Sequence, residues 1–238
     1  MAWHVKATGA YGRQSNEALE NAREIYGLLY SLGWCLASVC ALLGNVEHES
    51  GYNPWRWQSD VVLPVGDSRI GTIGGSSTAH AYGLCQQDPA AKYIYRQYAQ
   101  SLPYFGPNYS NQTGNTNDGD PQLRYIHWIC SDPSGGEWQS SGGWGASYKM
   151  PFADFIANTQ NQSLGFLTQT FFYGYERGTW SDTRITAATY WYEVLGGEPP
   201  QPPTPPSGLD PAWAAVLYYV TKKHGGNLVL QRGMFDLK

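Results

Sequence analysis

Charge is scarce in this chain. Asp, Glu, Lys and Arg make up 14% of its 238 residues, the formal net charge is −4, and no basic run occurs. Binding to nucleic acid draws on a concentrated basic surface, so this composition argues against such a partner. Cysteine is scarce too: Cys35, Cys40, Cys85 and Cys130 show neither C-x-x-C nor paired zinc-ligand spacing. Cys35 and Cys40 stand roughly 140° apart on an expected helix and cannot easily bridge, so buried free thiols are the reading. No H-E-x-x-H occurs, and Glu47, His48 and Glu49 diverge around a helix, so they do not form a metal site. Asn117-Asp118-Gly119-Asp120 is rich in oxygen but lacks the full calcium-loop pattern. Neither a metal nor a cofactor is expected.

A long uninterrupted apolar run is also missing. Ile25 to Val46 carries no charge, but Gly27, Ser31, Gly33, Ser38, Gly44 and Asn45 interrupt it, and Glu24 and Glu47 flank it instead of Lys or Arg. Two buried helices broken at Ser31-Leu32-Gly33 fit better than a membrane span. The opening Met1 to Lys6 has no apolar signal-peptide core.

What is abundant is aromatic: 18 Tyr and 10 Trp, more than one core needs and suited to partly exposed flat surfaces. The helical signals define a mainly α domain with long loops and at most a small β-hairpin. A first helix runs from Ser15 or Asn16 to about Ser31, with Leu19, Ala22, Ile25, Tyr26 and Leu29 on its apolar face. A second, apolar almost all round, runs from Trp34 to about Glu49 and is stopped by Gly51-Tyr52-Asn53-Pro54. Loops fill 55–81. Asp88-Pro89 and Asp120-Pro121 each read as a helix start, and further helices are expected over 151–158, 163–177 and 181–195. Residues 1–197 form this domain. Residues 198–208 are a proline-rich linker of about 30 Å at roughly 3.1 Å per residue. Residues 209–238 are too few for a core of their own and carry one helix whose apolar face needs a partner, either the main domain, another protein or a further module.

The end of the second helix carries the chemistry. Gly33-Trp34 with Ala41 to Pro54 (Ala-Leu-Leu-Gly-Asn-Val-Glu-His-Glu-Ser-Gly-Tyr-Asn-Pro) resembles the catalytic-helix end of phage tail lysozyme domains. More distantly it is similar to goose-type lysozymes and soluble lytic transglycosylases. Tyr82 to Gln87 resembles the family's second motif, although Cys85 stands where an aliphatic residue or Met is usual. Gln122 to Ile126, Tyr175-Glu176-Arg177 and Arg184 to Tyr192 look like its later helices, in the right order. The resemblance covers roughly Ala18 to Leu195. The loop 61–79 is longer than in the transglycosylases, which leaves the cleft wall open.

The resemblance implies a peptidoglycan glycosidase cleaving the β-1,4 bond between N-acetylmuramic acid and N-acetylglucosamine, carried in a phage tail and assembled in the host cytoplasm. It makes Glu49 the proton donor, with Ser50, Gln86 and Tyr190 lining the cleft. Chemistry agrees on the acid, because a poor leaving group has to be protonated as the bond breaks. Tyr52, Trp55 and Trp57 flank Glu49 and would desolvate it, and Tyr52 and Trp55 are expected to touch substrate. Glu47 lies about 200° away round the helix and is assigned to an ion pair. Asp60, ahead of Asp67, is the candidate second carboxylate. Its separation from Glu49 would decide between a nucleophile and a water-positioning base, and with neither in reach the substrate's 6-hydroxyl would attack. Two other classes remain: a Cys peptidase using Cys85 with His80 or His127, and a silent lysozyme-like module that only grips peptidoglycan or tail proteins, the latter through the C-terminal segment.

Overall fold

The computed structural model describes residues 3–63, 67–71, 79–91, 119–132 and 136–196. The helix expected from Asp88 to about Gln100 falls largely outside them, and the linker and C-terminal segment lie wholly outside. Six α-helices occur among the described residues: α1 (Asn16–Ser31), α2 (Leu36–Ser50), α3 (Gly119–Ser131), α4 (Phe152–Ala157), α5 (Leu164–Phe171) and α6 (Thr183–Gly196). A π-helical turn, Phe172–Glu176, extends α5. No strand forms among the described residues. The expected hairpin reduces to isolated bridges joining Trp57 to Tyr82 and Tyr82 to Gln87.

The helix α2 is the axis. Every residue from Ser38 to Val46 is buried, and α1, α4, α5 and α6 pack around it. A helix apolar on all sides can exist in water only when enclosed in this way. Its polar interior residues are each satisfied, as burial demands: Ser38 donates to the Phe155 carbonyl, and the Asn45 amide donates to the carbonyls of Ala41 and Thr168. Gly44 sets how close α6 comes, since a Cβ there would lie 2.3 Å from the Arg184 carbonyl oxygen. The expected break between α1 and α2 is present at residues 32–35, where Gly33 has φ 91°. None of the described helices is long and apolar enough to cross a membrane.

Capping follows the sequence signals in most places. Ser15 caps α1 through Ala18 N–H and Ser163 caps α5 through Phe166 N–H. Gly51, with φ 54°, ends α2 in the left-handed conformation that favours glycine. Asp88-Pro89 departs from expectation. Its peptide bond is cis and both residues lie in a bend, with helix beginning only at Ala91, so Pro89 is not a first helical residue.

Candidate functional site

The exit of α2 is held by partners far away in sequence. Asn21 accepts from His4 N–H and donates to the carbonyls of His4 and Tyr52, while Asn53 donates to the carbonyls of Lys6 and Gly9. Tyr11 N–H reaches the Gly51 carbonyl at 2.9 Å. These bonds strap the N-terminal segment across the helix end. Gln122 on α3 accepts from Leu84 N–H at 2.7 Å and donates to the Pro54 carbonyl at 2.7 Å, so it ties the Tyr82–Gln87 turn to the same end.

The two acids of α2 diverge as helical geometry requires. Glu47 takes a bidentate ion pair from Arg13, at 2.6 and 2.5 Å, and a hydrogen bond from the Tyr52 hydroxyl. Trp191 Nε1 donates to that same hydroxyl at 2.6 Å. Burial and the Glu47 charge push the Tyr52 phenol far above its ordinary range, so it stays a donor. Glu47 is thus a structural ion-pair partner, as its angular position implied. His48 between them is exposed.

Glu49 faces α6. Its Oε1 accepts from Arg184 Nη2 at 2.6 Å, with the Arg184 side chain 1% exposed and that of Glu49 20% exposed. Arg184 is positioned by Asn45, which accepts from Nη1 at 3.1 Å, and by the Thr179 carbonyl at 3.3 Å. Its guanidinium also lies 4.9 Å from the centroid of the Phe172 ring. A buried cation with its forked donors divided between two elements fixes the carboxylate it meets.

A third acid, Glu176, which the sequence presents only within the Tyr175-Glu176-Arg177 motif, feels the charges of Glu49 and Arg184. It closes the π-helical turn, a feature that often marks functional places. The Cys85 thiol and the Glu49 charge both bear on its carboxyl. Oε1 of Glu176 is buried with no hydrogen-bond partner. Burial first, and Glu49 second, push this carboxyl well above the usual carboxylate range. No sequence signal separates Glu176 from an ordinary solvated acid: the residue as a whole is half-buried, with its Oε1 enclosed.

Several residues assigned to the cleft are placed differently. Tyr52 and Trp55 have no exposed surface; Trp55 packs edge-on against Trp57 and Tyr82, and the three form core beneath the helix end. They cannot touch substrate from there, because the chain closes over them. Ser50 is 1% exposed and its hydroxyl bonds the Val46 carbonyl at 3.2 Å, so it too is internal. Tyr190 stands on the Glu47 side, with the Arg13 guanidinium 5.4 Å from its ring centroid. Two shallow pockets of about 370 and 420 Å³ lie there, and Glu49 lines neither. Gln86, with φ 41°, turns its amide to the Arg56 and Gly83 carbonyls, each at 3.0 Å, and holds its own turn shut.

Asp60 is a loop tether. Its Oδ1 accepts from Gly9 N–H at 2.7 Å and pairs with Arg56 at 3.2 Å. Asp67 caps a short turn and pairs with Arg69, whose hydrogen bonds hold its carboxyl down at about 2. The thiols are all free, with Cys40, Cys85 and Cys130 buried and Cys35 half-buried. Burial raises the Cys85 thiol well above its ordinary value and Glu176 raises it further, while His127 accepts from Trp34 Nε1 at 3.0 Å. A thiol kept protonated in this way is no nucleophile. No group of three or more His, Cys, Asp or Glu that could hold a metal ion occurs among the described residues.

Morphogenesis protein 1 of Bacillus phage B103 is 29% identical over 185 residues, which cover 76% of this chain and 41% of that protein. The chain therefore spans less than half the length of this relative. The phage tail lysozyme family matches residues 20–195, a stretch that contains Glu49, Glu176 and Arg184 alike. This chain belongs to the phage tail lysozyme family.

Proposed function

We propose that this protein is a glycoside hydrolase that cleaves the β-1,4 bond between N-acetylmuramic acid and N-acetylglucosamine in peptidoglycan, with Glu49 as general acid. The observation that carries this reading is the unequal use of the two helix-end acids. Both oxygens of Glu47 are taken by Arg13, whereas Glu49 is bonded through Oε1 alone to one buried cation. When Glu49 gives its proton to the glycosidic oxygen, the carboxylate that forms is met by Arg184 already in place. Stabilising charge where it develops is the larger part of such catalysis.

Aromatic surface beside Arg184 supports a sugar substrate. Trp144 is 57% exposed and packs edge-to-face with Tyr173 and Phe172, the ring under Arg184, at centroid separations of 4.9 and 5.6 Å. Trp180 stacks on Tyr173 at 6.1 Å. Flat, part-exposed rings suit the apolar faces of pyranoses. The family and the phage morphogenesis relative support a lysin carried in the virion, assembled in the host cytoplasm and acting on the cell wall during penetration.

Turbidity clearing of purified cell walls tests this. Wild type should clear them and Glu49→Gln should not. Equal clearing by both removes Glu49 from the chemistry, and no clearing by either favours a wall-binding module. The released ends assign the second half of the reaction: reducing sugar for attack by water, anhydro sugar for attack by the substrate's own 6-hydroxyl.

A further inference from the structure

We propose that Asn45 is a positioning residue for Glu49: by holding one end of the Arg184 guanidinium it limits that cation to a one-point contact, which leaves the second oxygen of Glu49 to carry the proton. This rests on the reading of Glu49 as general acid and adds the residue that sets how the acid is paired.

The two helix-end acids meet the same kind of partner in different ways. Arg13 grips Glu47 through Nε and Nη2, one donor to each oxygen, at 2.6 and 2.5 Å. Such a fork occupies the whole carboxylate and favours its charged form. Arg184 meets Glu49 through Nη2 alone, on Oε1 at 2.6 Å, and no group among the described residues bonds Oε2. Arg184 Nε is buried without a hydrogen-bond partner, so the fork that Arg13 makes is not formed here.

Asn45 accounts for the difference. It stands one turn before Glu49 on α2 and has no exposed surface. Its amide nitrogen donates to the Ala41 carbonyl at 2.8 Å and to the Thr168 carbonyl of α5 at 3.2 Å. Both amide hydrogens are used in this way, so Oδ1 is turned toward Arg184 and accepts from Nη1 at 3.1 Å. A flipped amide would set its oxygen against two carbonyls and its NH2 against a cation. Asn45 and Glu49 are the only side chains among the described residues that hydrogen-bond Arg184; its other bonds run to the carbonyls of Asn45 and Thr179, at 3.5 and 3.3 Å. The Phe172 ring, 4.9 Å from the guanidinium, flanks its plane. Asn45 at one terminal nitrogen and Glu49 at the other then fix its rotation within that plane. Without the Asn45 oxygen, the guanidinium can turn until a second N–H reaches Oε2, and Glu49 becomes paired as Glu47 is.

The proton step balances. The O–H bond at Oε2 breaks, an O–H bond to the glycosidic oxygen forms, and the C–O bond to the sugar cleaves. Arg184 stays on Oε1 throughout, and the carboxylate regains a proton from solvent after the products leave.

Asn45→Leu, close in volume but without the oxygen, tests this in the full chain. The crystal structure of the variant should show two Arg184 N–H groups on the two Glu49 oxygens. Turnover of soluble glycan fragments should fall about tenfold or more with KM little changed. The alkaline limb of activity should move to lower pH by about one unit, because a second charge-assisted bond favours the ionised acid. A merely structural role would lower the melting temperature and leave that limb in place. Adding Arg184→Lys to Asn45→Leu replaces the fork with a point charge, so the limb of the double variant should match that of Arg184→Lys alone. Asn45→Ser, whose short hydroxyl back-bonds along its own helix, gives the same readouts if Asn45→Leu does not fold. A single Arg184–Glu49 contact in the folded variant, or an unmoved limb, overturns the proposal. Equal activity of wild type and Glu49→Gln, with the second contact formed in Asn45→Leu, sinks the general acid and its proton step but not the pairing.

Discussion

Arg184 places Nη2 2.6 Å from Glu49 Oε1, joining residues 135 positions apart, and does so with only 1% of its side chain exposed. A cation so enclosed depends on its partners. Arg184→Met keeps the bulk but leaves Asn45 and Glu49 without the charge, and it should cost about 3–5 kcal/mol of stability, read from the urea midpoint. Clearing should be lost even where the variant is kept folded by low temperature. Full activity in Arg184→Met would show that Glu49 works without a countercharge.

Glu47 offers the opposite case. Arg13 and Glu47 are each 25% exposed, and the Tyr52 hydroxyl links them to Trp191. Glu47→Gln should lower stability by about 1–3 kcal/mol in chemical denaturation. Clearing measured well below the melting temperature should stay within a few-fold of wild type. Loss of clearing as severe as in Glu49→Gln would mean that the two acids share the chemistry.

Glu176 carries a stability cost with a definite sign. Its carboxyl is raised in the folded state, so between the ordinary glutamate range and that raised value the folded chain binds more protons than the unfolded one. Stability from this group is therefore fully present below about pH 4 and falls as pH rises through the folded value. Glu176→Gln should melt higher than wild type at pH 8, and the gap should close on acidification to pH 4. A gap that widens toward acid would reverse the assignment.

Trp144 is the most exposed large aromatic among the described residues, at 57%. Trp144→Ala should weaken binding to soluble glycan fragments about five- to twentyfold, equivalent to roughly 1–2 kcal/mol. Cleavage at saturating substrate should hold. Binding that is unchanged by isothermal titration would remove the aromatic surface from substrate contact.

Thiol alkylation separates packing from reactivity. Native protein should label at Cys35 alone, since Cys40, Cys85 and Cys130 are buried. All four should label in denaturant. Fast native labelling of Cys85, read by peptide mapping, would revive a thiol nucleophile.

What the sequence made legible followed from periodicity. The apolar run without charge marks α2 as the enclosed helix, and 100° per residue is enough to separate Glu47 from Glu49. Most helix starts were readable because Ser15 and Ser163 are chemical caps. Burial by distant segments was not readable. Tyr52 and Trp55 sit next to Glu49 in the chain, yet the Tyr82–Gln87 turn and α6 close over them. Asp60 looked like a free acid because its partner Gly9 stands 51 residues earlier. Glu176 looked ordinary because a π turn has no sequence pattern of its own.

Gly44 allows the backbone of α6 to lie against α2, and the consequence extends to the order in which the chain is made. The acid is present once the first fifty residues have left the ribosome, but its countercharge arrives 135 residues later. At ordinary synthesis rates of about 5–20 residues per second, this leaves an interval of roughly 7 to 27 seconds in which Glu49 exists without its setting. A chain that ends before α6 therefore carries Glu49 without the cation it pairs with in the folded domain.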